Sequence, residues 1–275
     1  MKFLRSGKVK DIYELDDGNL LFHFTDRVSA FDVKLPTPIP RKGEVLCKFG
    51  EFWFNELSNP NHYVRTEGKD KMVVRKMEMI PIECVVRGYF YGSLVARWKK
   101  SGVEIPSNAD IRIASKLSEP IFDPTTKSES HDMPITKKYA IEQNLVSANE
   151  YDCLEDTSIA IYKKMTKIAK NGGFILADLK IEFGRLEQQI FLGDSIGPDE
   201  YRMWPKENYQ VGKIQESYDK QLLRDWLTER GYQDKFEKER QAGKEPIAPE
   251  LPLELCKQMS ERYIAAYKRI TGRSL

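Results

Sequence analysis

The segment Asp178-Leu179-Lys180-Ile181-Glu182-Phe183-Gly184 sets chemistry-bearing side chains at strict two-residue spacing. In an extended strand, Leu179, Ile181 and Phe183 share one face, and Asp178, Lys180 and Glu182 share the other. One reading is an amphipathic strand with a wet face. Against it, the preceding run Phe174 to Ala177 is apolar and reads as sheet interior. Three ionisable groups on one face near a buried sheet point to a metal or phosphate site. Asp194 lies twelve residues beyond Glu182, with Gln188 at the midpoint. A hairpin turning near Gln188 would set the two carboxylates opposite each other, with Cβ atoms about 5 Å apart. They would repel unless a proton or a cation lay between them. Mg²⁺ bound by one or two carboxylates plus nucleotide phosphates meets that need. Glu187-Gln188 is not a favoured tight-turn pair, which counts against the hairpin.

Gly7-Lys8-Val9-Lys10-Asp11-Ile12-Tyr13 is no P-loop, since GxxxxGK[ST] is absent. It reads either as a solvated basic edge strand or as a glycine-containing hairpin over a triphosphate, with Lys8 and Lys10 on one side. Arg87-Gly88-Tyr89-Phe90-Tyr91-Gly92-Ser93 runs from a buried strand into a helix. There Arg87 can grip an anion bidentately, and Gly92-Ser93 can offer backbone N–H groups and a hydroxyl to a phosphate. His131-Asp132 lies in a loop after Asp123-Pro124-Thr125-Thr126-Lys127. The histidines, at 23, 62 and 131, have neither metal-pair nor triad spacing. Asp199 and Arg202 follow Pro198, and Asp219-Lys220 opens a helix; each alone reads as surface.

The elements that must position these groups follow from periodicity and breakers. Gly7 to Asp32 reads as extended, with a turn at Gly18-Asn19. Leu46 to Leu57 has helical spacing. Met72 to Met77 and Ile82 to Val86 read as strands separated by Met79-Ile80-Pro81, and Ser93 to Lys100 as a short helix. Ile105 to Thr136 reads mostly as loop. Asn149 to Asn171 reads as a long helix stopped by Gly172-Gly173. Strands are expected over 174–183 and 189–192, and helices over 218–230 and 253–270, with a charged helix or linker over 235–244. Strands first and helices later suggest α+β rather than regular βαβ alternation.

Composition excludes several classes. The formal net charge of the 275 residues is +2, which argues against a general nucleic-acid binder but leaves room for a basic pocket. No apolar run approaches the roughly 18–20 residues needed to cross a bilayer, so no membrane partner is expected. The opening MKFLRSGKVK lacks an apolar core, so no secretory leader is expected. Cys47, Cys84, Cys153 and Cys256 form no CxxC pair, so they read as reduced thiols of a cytoplasmic protein.

Taken in order, these segments resemble the SAICAR synthetase family. The resemblance rests on GKVKDIYE (7–14), DRVSAFD (26–32), KGEVL and FWF (42–54), PIECVVRGYFYGS (81–93) and EPIFDPTTKSE (119–129). It continues through His131-Asp132, LADLKIEFG (176–184), LGDSIGPDEYRMWP (192–205) and SYDKQLLRDWL (217–227). The family usually has Asp-Glu where this chain has Asp194-Ser195. The resemblance implies an ATP-dependent ligase of purine biosynthesis. It joins the carboxylate of carboxyaminoimidazole ribotide (CAIR) to the amine of L-aspartate, giving SAICAR, ADP and phosphate through an acyl phosphate. The implied fold is two-lobed α+β: a small antiparallel β lobe at residues 1–78, a larger α+β lobe at 79–275, and ATP in the cleft between them.

The same resemblance implies roles. Gly7, Lys8 and Lys10 would cover the ATP phosphates, Lys76 to Met79 with Glu83 would lie beside the adenine, and Lys180 would touch phosphate. Glu182 and Asp194 would hold Mg²⁺. Arg87, Ser93 and Arg202 would bind the ribotide phosphate and nearby carboxylates, with Asp132 and Asp199 on ribose or imidazole groups. Lys180, Arg87 and Asp132 are the groups expected at the chemistry, and Lys127, Asp219 and Lys220 are further cleft candidates. CAIR and L-aspartate are the expected partners, with room for a homo-oligomer. Two other readings stay open from the residues: a small-molecule kinase of the inositol-phosphate-kinase type, and a non-catalytic nucleotide-binding module. The kinase would need no amine, and the module would turn over no ATP.

Overall fold

A computed structural model describes residues 1–101, 105, 109–127 and 133–275. The chain opens with β1 (Lys2–Ser6), β2 (Lys10–Glu14), β3 (Leu20–Phe24), β4 (Ser29–Ala30) and β5 (Val33–Lys34). Helix α1 (Lys42–Leu57), β6 (Tyr63–Glu67), β7 (Lys71–Val74), β8 (Glu78–Tyr89) and α2 (Ser93–Ser101) follow. Next come β9 (Lys116–Phe122), β10 (Thr125–Thr126), α3 (Lys137–Glu142), α4 (Ala148–Asn171), β11 (Phe174–Leu186), β12 (Gln189–Gly193) and β13 (Tyr201–Pro205). Helices α5 (Gln221–Glu229), α6 (Tyr232–Gln241) and α7 (Leu253–Thr271) close the chain.

The strands form two main sheets, both antiparallel. One has the order β1-β2-β3-β7-β6. The other runs β10-β8-β11-β12, with β13 also on β11 and β9 also on β8. The α+β expectation therefore holds. One apolar core joins the layers. It includes Phe24 of β3, Phe49 and Trp53 of α1, Val86 of β8, Leu179 of β11 and Tyr263 of α7. Among the described residues, no helix is long and apolar enough to cross a membrane.

Local chemistry explains the element ends. Helix α4 starts at a full capping box: Ser147 accepts from Glu150 N–H, and the Glu150 carboxylate accepts from Ser147 N–H. Helix α1 begins earlier than its apolar spacing indicates, because Asp26 reaches over to accept from Gly43 N–H at 2.9 Å and Arg41 N–H at 3.2 Å.

Three expectations need correcting. Met79-Ile80-Pro81 does not separate two strands; it lies inside β8. Glu83 faces Glu182 and Met79 faces Gly184, so the ladder shifts where Pro81 lacks a donor, and a bulge absorbs the proline. The stretch 105–136, read as loop, contributes β9 and β10 to the edge of β8. Strand β13 carries no alternation that could have announced it; three of its last residues, Met203, Trp204 and Pro205, are all buried.

Candidate active site

Strands β8, β11 and β13 bring the charged face of the second sheet to a cavity of about 280 Å³. Its walls include Glu83 and Arg87 from β8, Asp178 and Lys180 from β11, Asp199, Glu200 and Arg202 around the start of β13, and Lys220 and Arg224 before and on α5. The two-residue alternation of Asp178 and Lys180 thus delivers both side chains to one cavity, as expected.

The hairpin also forms, with one correction. Leu186 pairs with Gln189, so the loop is Glu187-Gln188, and Glu182 faces Gly193 rather than Asp194. A two-residue loop makes opposed residue numbers sum to an odd value, which moves the partner by one. Glu187 and Gln188 both take left-handed backbone, with φ of 50° and 64°. This is the conformation a two-residue hairpin needs, adopted without the usual Asn or Gly. Asp194 is also left-handed, φ 55°, which turns its side chain back toward the N-terminal sheet. There it pairs with Lys10 of β2, whose ammonium also donates to Ser195 Oγ at 3.0 Å.

Each carboxylate of the expected metal pair therefore has its own lysine. Lys127 and Lys180 flank Glu182, the latter at 3.7 Å, and Lys180 donates to Glu83 at 2.7 Å. Burial opposes ionisation of Asp194, yet Lys10 and Lys127 outweigh it and hold the carboxyl at about 2. Burial opposes the Lys180 charge too, but Glu83 and Glu182 raise its pKa above the ordinary value. The carboxylate repulsion anticipated from sequence is met here by lysines.

A second charge chain lies deeper. Arg87 pairs with Asp123, donates to Ser93 Oγ at 3.0 Å, and stands 3.7 Å from Asp178. Arg202 pairs with Asp178, and Arg97 shares Asp123. Gly92 has φ 61°, and a Cβ there would sit 2.9 Å from the Arg202 guanidinium. Glycine at this position is thus required twice over, for its backbone and for the close approach of Arg202.

The remaining candidates divide. Gly7 closes a turn, its N–H donating to Lys10 O at 2.8 Å. That turn starts β2 only at Lys10, so Lys8 is not on the strand. It is exposed and pairs with Asp32, contrary to the expectation that both lysines face one way. Lys76 is exposed and bound to Glu14 at 2.6 Å. Met79 packs with Met77 over Gly193. Asp219 is a buried cap, accepting from Met203 N–H at 2.8 Å and Gln221 N–H at 2.7 Å. Asp132, with His131, lies outside the described residues.

Asp199 and Lys220 meet 3.9 Å apart, and a partner that sequence reasoning passed over joins them. Lys42, fully buried at the first turn of α1, places its ammonium 2.8 Å from Asp199 Oδ2, as an ion pair off the hydrogen-bond direction. The Tyr263 hydroxyl of α7 donates to Asp199 Oδ1 at 3.0 Å. Burial pulls the Lys220 ammonium down to about 8 despite Asp199. Burial and the Asp199 charge push the Glu200 carboxyl up to about 8.

Two more residues were missed. Arg224 lines the cavity and has no hydrogen-bond or ion-pair partner for its guanidinium among the described residues. Burial and the nearby Arg202 charge lower its pKa from the ordinary arginine value. Its signal was present: Lys220 and Arg224 are four apart and share a helical face. His62 is buried between the Phe22 and Phe54 rings, and its Nε2 meets the Asp194 carbonyl at 2.9 Å. Burial pushes its pKa down to about 4, so the neutral ring donates there. It braces the left-handed turn that aims Asp194.

An antiparallel α+β fold of two sheets carries a cavity lined by paired lysines, arginines and carboxylates, a lining suited to anionic groups. Comparison with known proteins makes the assignment specific. The SAICAR synthetase family model matches residues 3–239, and the chain belongs to that family. A phosphoribosylaminoimidazole-succinocarboxamide synthase of Nitrosopumilus maritimus is 64% identical over 100% of both chains. One from Corynebacterium glutamicum is 40% identical over 98% of this chain and 94% of its own. Among solved structures, the Saccharomyces cerevisiae SAICAR synthase complexed with SAICAR superposes with a TM-score of 0.86 at 34% identity, over 100% of this chain and 96% of that one. A SAICAR synthetase in complex with ADP gives 0.74 at 26% identity, over 98% of each. The purine-biosynthesis ligase expected from the motifs is thus borne out, as are the family and its fold.

Proposed function

We propose that this cleft activates the CAIR carboxylate with ATP and passes the acyl group to L-aspartate. The observation that carries the reading is the convergence of Lys10, Lys180, Arg87, Arg202, Lys220 and Arg224 on one region, most of them held by carboxylates. A carboxylate is a poor acyl donor because oxide is a poor leaving group. Attack of a carboxylate oxygen on the γ-phosphorus expels ADP and forms an acyl phosphate. The aspartate amine then attacks the acyl carbon, and phosphate leaves with that oxygen.

Lys10 and Lys180 stabilise charge on the phosphoryl group in flight. Glu182 and Asp194 suit Mg²⁺: their hard carboxylate oxygens are the donors it prefers. Phosphate oxygens and water would complete the ion's coordination. When bound, the ion would neutralise charge on the β- and γ-phosphates. Arg87, Ser93 and Arg202 bind the ribotide. Glu200, its carboxyl pushed up to about 8 by burial and the Asp199 charge, would in its ionised form take the proton that the aspartate amine sheds as it bonds to the acyl carbon. The adenine lies against the link from Lys76 to Met79, between an N-terminal lobe ending near residue 78 and the larger remainder. A chain with four free cysteines fits a reducing cytoplasm.

Carboxylate-labelled [¹⁸O]CAIR tests the route. Label should appear in inorganic phosphate only when aspartate is present. Unlabelled phosphate would exclude the acyl phosphate, and sustained ADP release without aspartate and without free phosphate would favour a kinase.

A further inference from the structure

Successive residues of β8 point to opposite faces of its sheet. Arg87 faces the cleft, and Gly88 faces α4, where a Cβ would lie 1.9 Å from the Tyr162 hydroxyl oxygen. Beside Gly88 and outside the lining of the cleft lies a second cavity, of about 560 Å³. This is the size range of small-molecule sites.

The lining has two parts. Its floor is aromatic and apolar: Tyr89 of β8, Leu117 of β9, Tyr162 of α4, Phe174 and Ile175 of β11, and Tyr209. The Tyr89 and Tyr209 rings stand edge to face, their centroids 5.9 Å apart. The rim carries Lys116, Lys163, Lys170 and Lys206. All four are exposed. Lys163 and Lys170, seven residues apart on α4, share one helical face. Among the described residues none of the four has an ion-pair or hydrogen-bond partner for its ammonium, and no carboxylate lines the cavity. That contrasts with the cleft, where nearly every cation has an acid beside it. The Thr166 hydroxyl also lines the cavity, beside the Tyr162 hydroxyl, which donates to Leu176 O at 2.7 Å.

We propose that this cavity is a binding site for an organic phosphate with a flat aromatic body, the class to which nucleotides belong. The ring rests on the tyrosine and phenylalanine floor, and the phosphate meets the lysine rim. Desolvated aromatic contacts supply affinity, and four uncompensated ammonium groups select the anion. The site reaches the cleft through few atoms. Tyr89 packs on Trp204 of β13 at 5.3 Å, two residues from Arg202, and Gly88 follows Arg87 directly.

The test is calorimetric titration with AMP while ADP, Mg²⁺ and SAICAR together saturate the nucleotide and ribotide parts of the cleft. The full chain should bind one further equivalent of AMP. Lys163→Glu/Lys170→Glu, which changes two exposed side chains outside the cleft, should keep its ligase activity without AMP. It should bind the extra AMP about fourfold to 25-fold more weakly, since each exposed charge contact is worth roughly twofold to fivefold. Adenosine and inorganic phosphate should each bind far more weakly than AMP. The proposal fails if no second equivalent binds at millimolar AMP, or if the double variant binds it as tightly as the parent. It fails equally if inorganic phosphate alone matches AMP, because the aromatic floor would then be idle.

Discussion

Replacing Lys42 by Met tests whether the buried pair with Asp199 holds the cleft together. Lys42 has 0% and Asp199 4% side-chain exposure, with 2.8 Å between them. Breaking a buried pair by removing one partner costs about 3–5 kcal/mol, because the other charge stays buried. In Lys42→Met, Asp199 keeps the Tyr263 hydroxyl at 3.0 Å and Lys220 at 3.9 Å. The loss should therefore fall near about 2–3 kcal/mol, lowering Tm by about 4–10 °C in a chain of this size. Asp199→Asn should cost more, about 3–5 kcal/mol, since Lys42 then has no acid beside it. Lys42→Met/Asp199→Asn removes both charges and should be more stable than Asp199→Asn alone.

Asp199 is held well below the ordinary carboxylate range by Lys42 and Lys220, although burial opposes it. Its stabilisation is complete above the unfolded pKa of about 3.9 and fades as pH falls through the lower folded value. The gap between the parent and Lys42→Met should accordingly narrow in acid. Urea and thermal unfolding followed by circular dichroism give all four corners of the cycle. Lys42→Met within about 0.5 kcal/mol of the parent, or strictly additive single losses, would refute the argument, since contacting charges must couple. Turnover separates structure from function: the double variant should regain stability but stay poorly active, because Asp199 lines the cavity.

Glu182→Gln and Asp194→Asn should each cut turnover at least about hundredfold while the protein stays folded, and the required Mg²⁺ concentration should rise; normal rates at ordinary Mg²⁺ would remove the pair from the metal site. Arg224→Gln should raise KM for one of the two anionic co-substrates about tenfold or more with little change in stability, since a charge-assisted contact is worth about 1.5–3 kcal/mol; unchanged KM for both CAIR and aspartate would return Arg224 to a passive role. Gly88→Ala should destabilise by about 1–3 kcal/mol or more, since its Cβ would overlap the Tyr162 hydroxyl, and chemical unfolding reads this directly.

Legibility from sequence followed the range of the forces involved. Alternation over Asp178–Gly184 announced β11 and the face its charges share, because a strand's period is local. The long helix was legible for the same reason, its cap and stop lying at its own ends. The register of the β11–β12 hairpin was not: one residue of loop length decided it, and the turn used Glu187-Gln188 in a conformation their types do not advertise. Lys42 and His62 were missed because their partners are 157 and 132 residues away in sequence, as the Lys42–Asp199 pair and the His62–Asp194 contact show. Some recognised motif residues prove structural, such as Asp26, which caps α1, and Arg27, which pairs with Asp11 at 2.7 Å. A motif marks what a fold needs as readily as what a reaction needs.

The near-zero net charge and the cationic cleft are one fact seen at two scales. A cavity for ATP, a ribotide and a dicarboxylate needs many cations, yet bare ammonium and guanidinium groups crowded together would repel and resist burial. Here Lys10 is matched by Asp194, Lys180 by Glu83, Arg87 by Asp123, Arg202 by Asp178 and Lys42 by Asp199. Because acids neutralise these cations locally, the cleft is compatible with a formal charge of only +2 for the whole chain. Each pair also holds its cation pre-oriented, so an incoming phosphate or carboxylate exchanges with, or adds to, an acid already in place. A cation pre-ordered by an acid needs less reorganisation when charge moves toward it in the transition state. On the proposed reading, Arg224, a guanidinium without such a partner among the described residues, is where the substrate's own anion would complete the pairing.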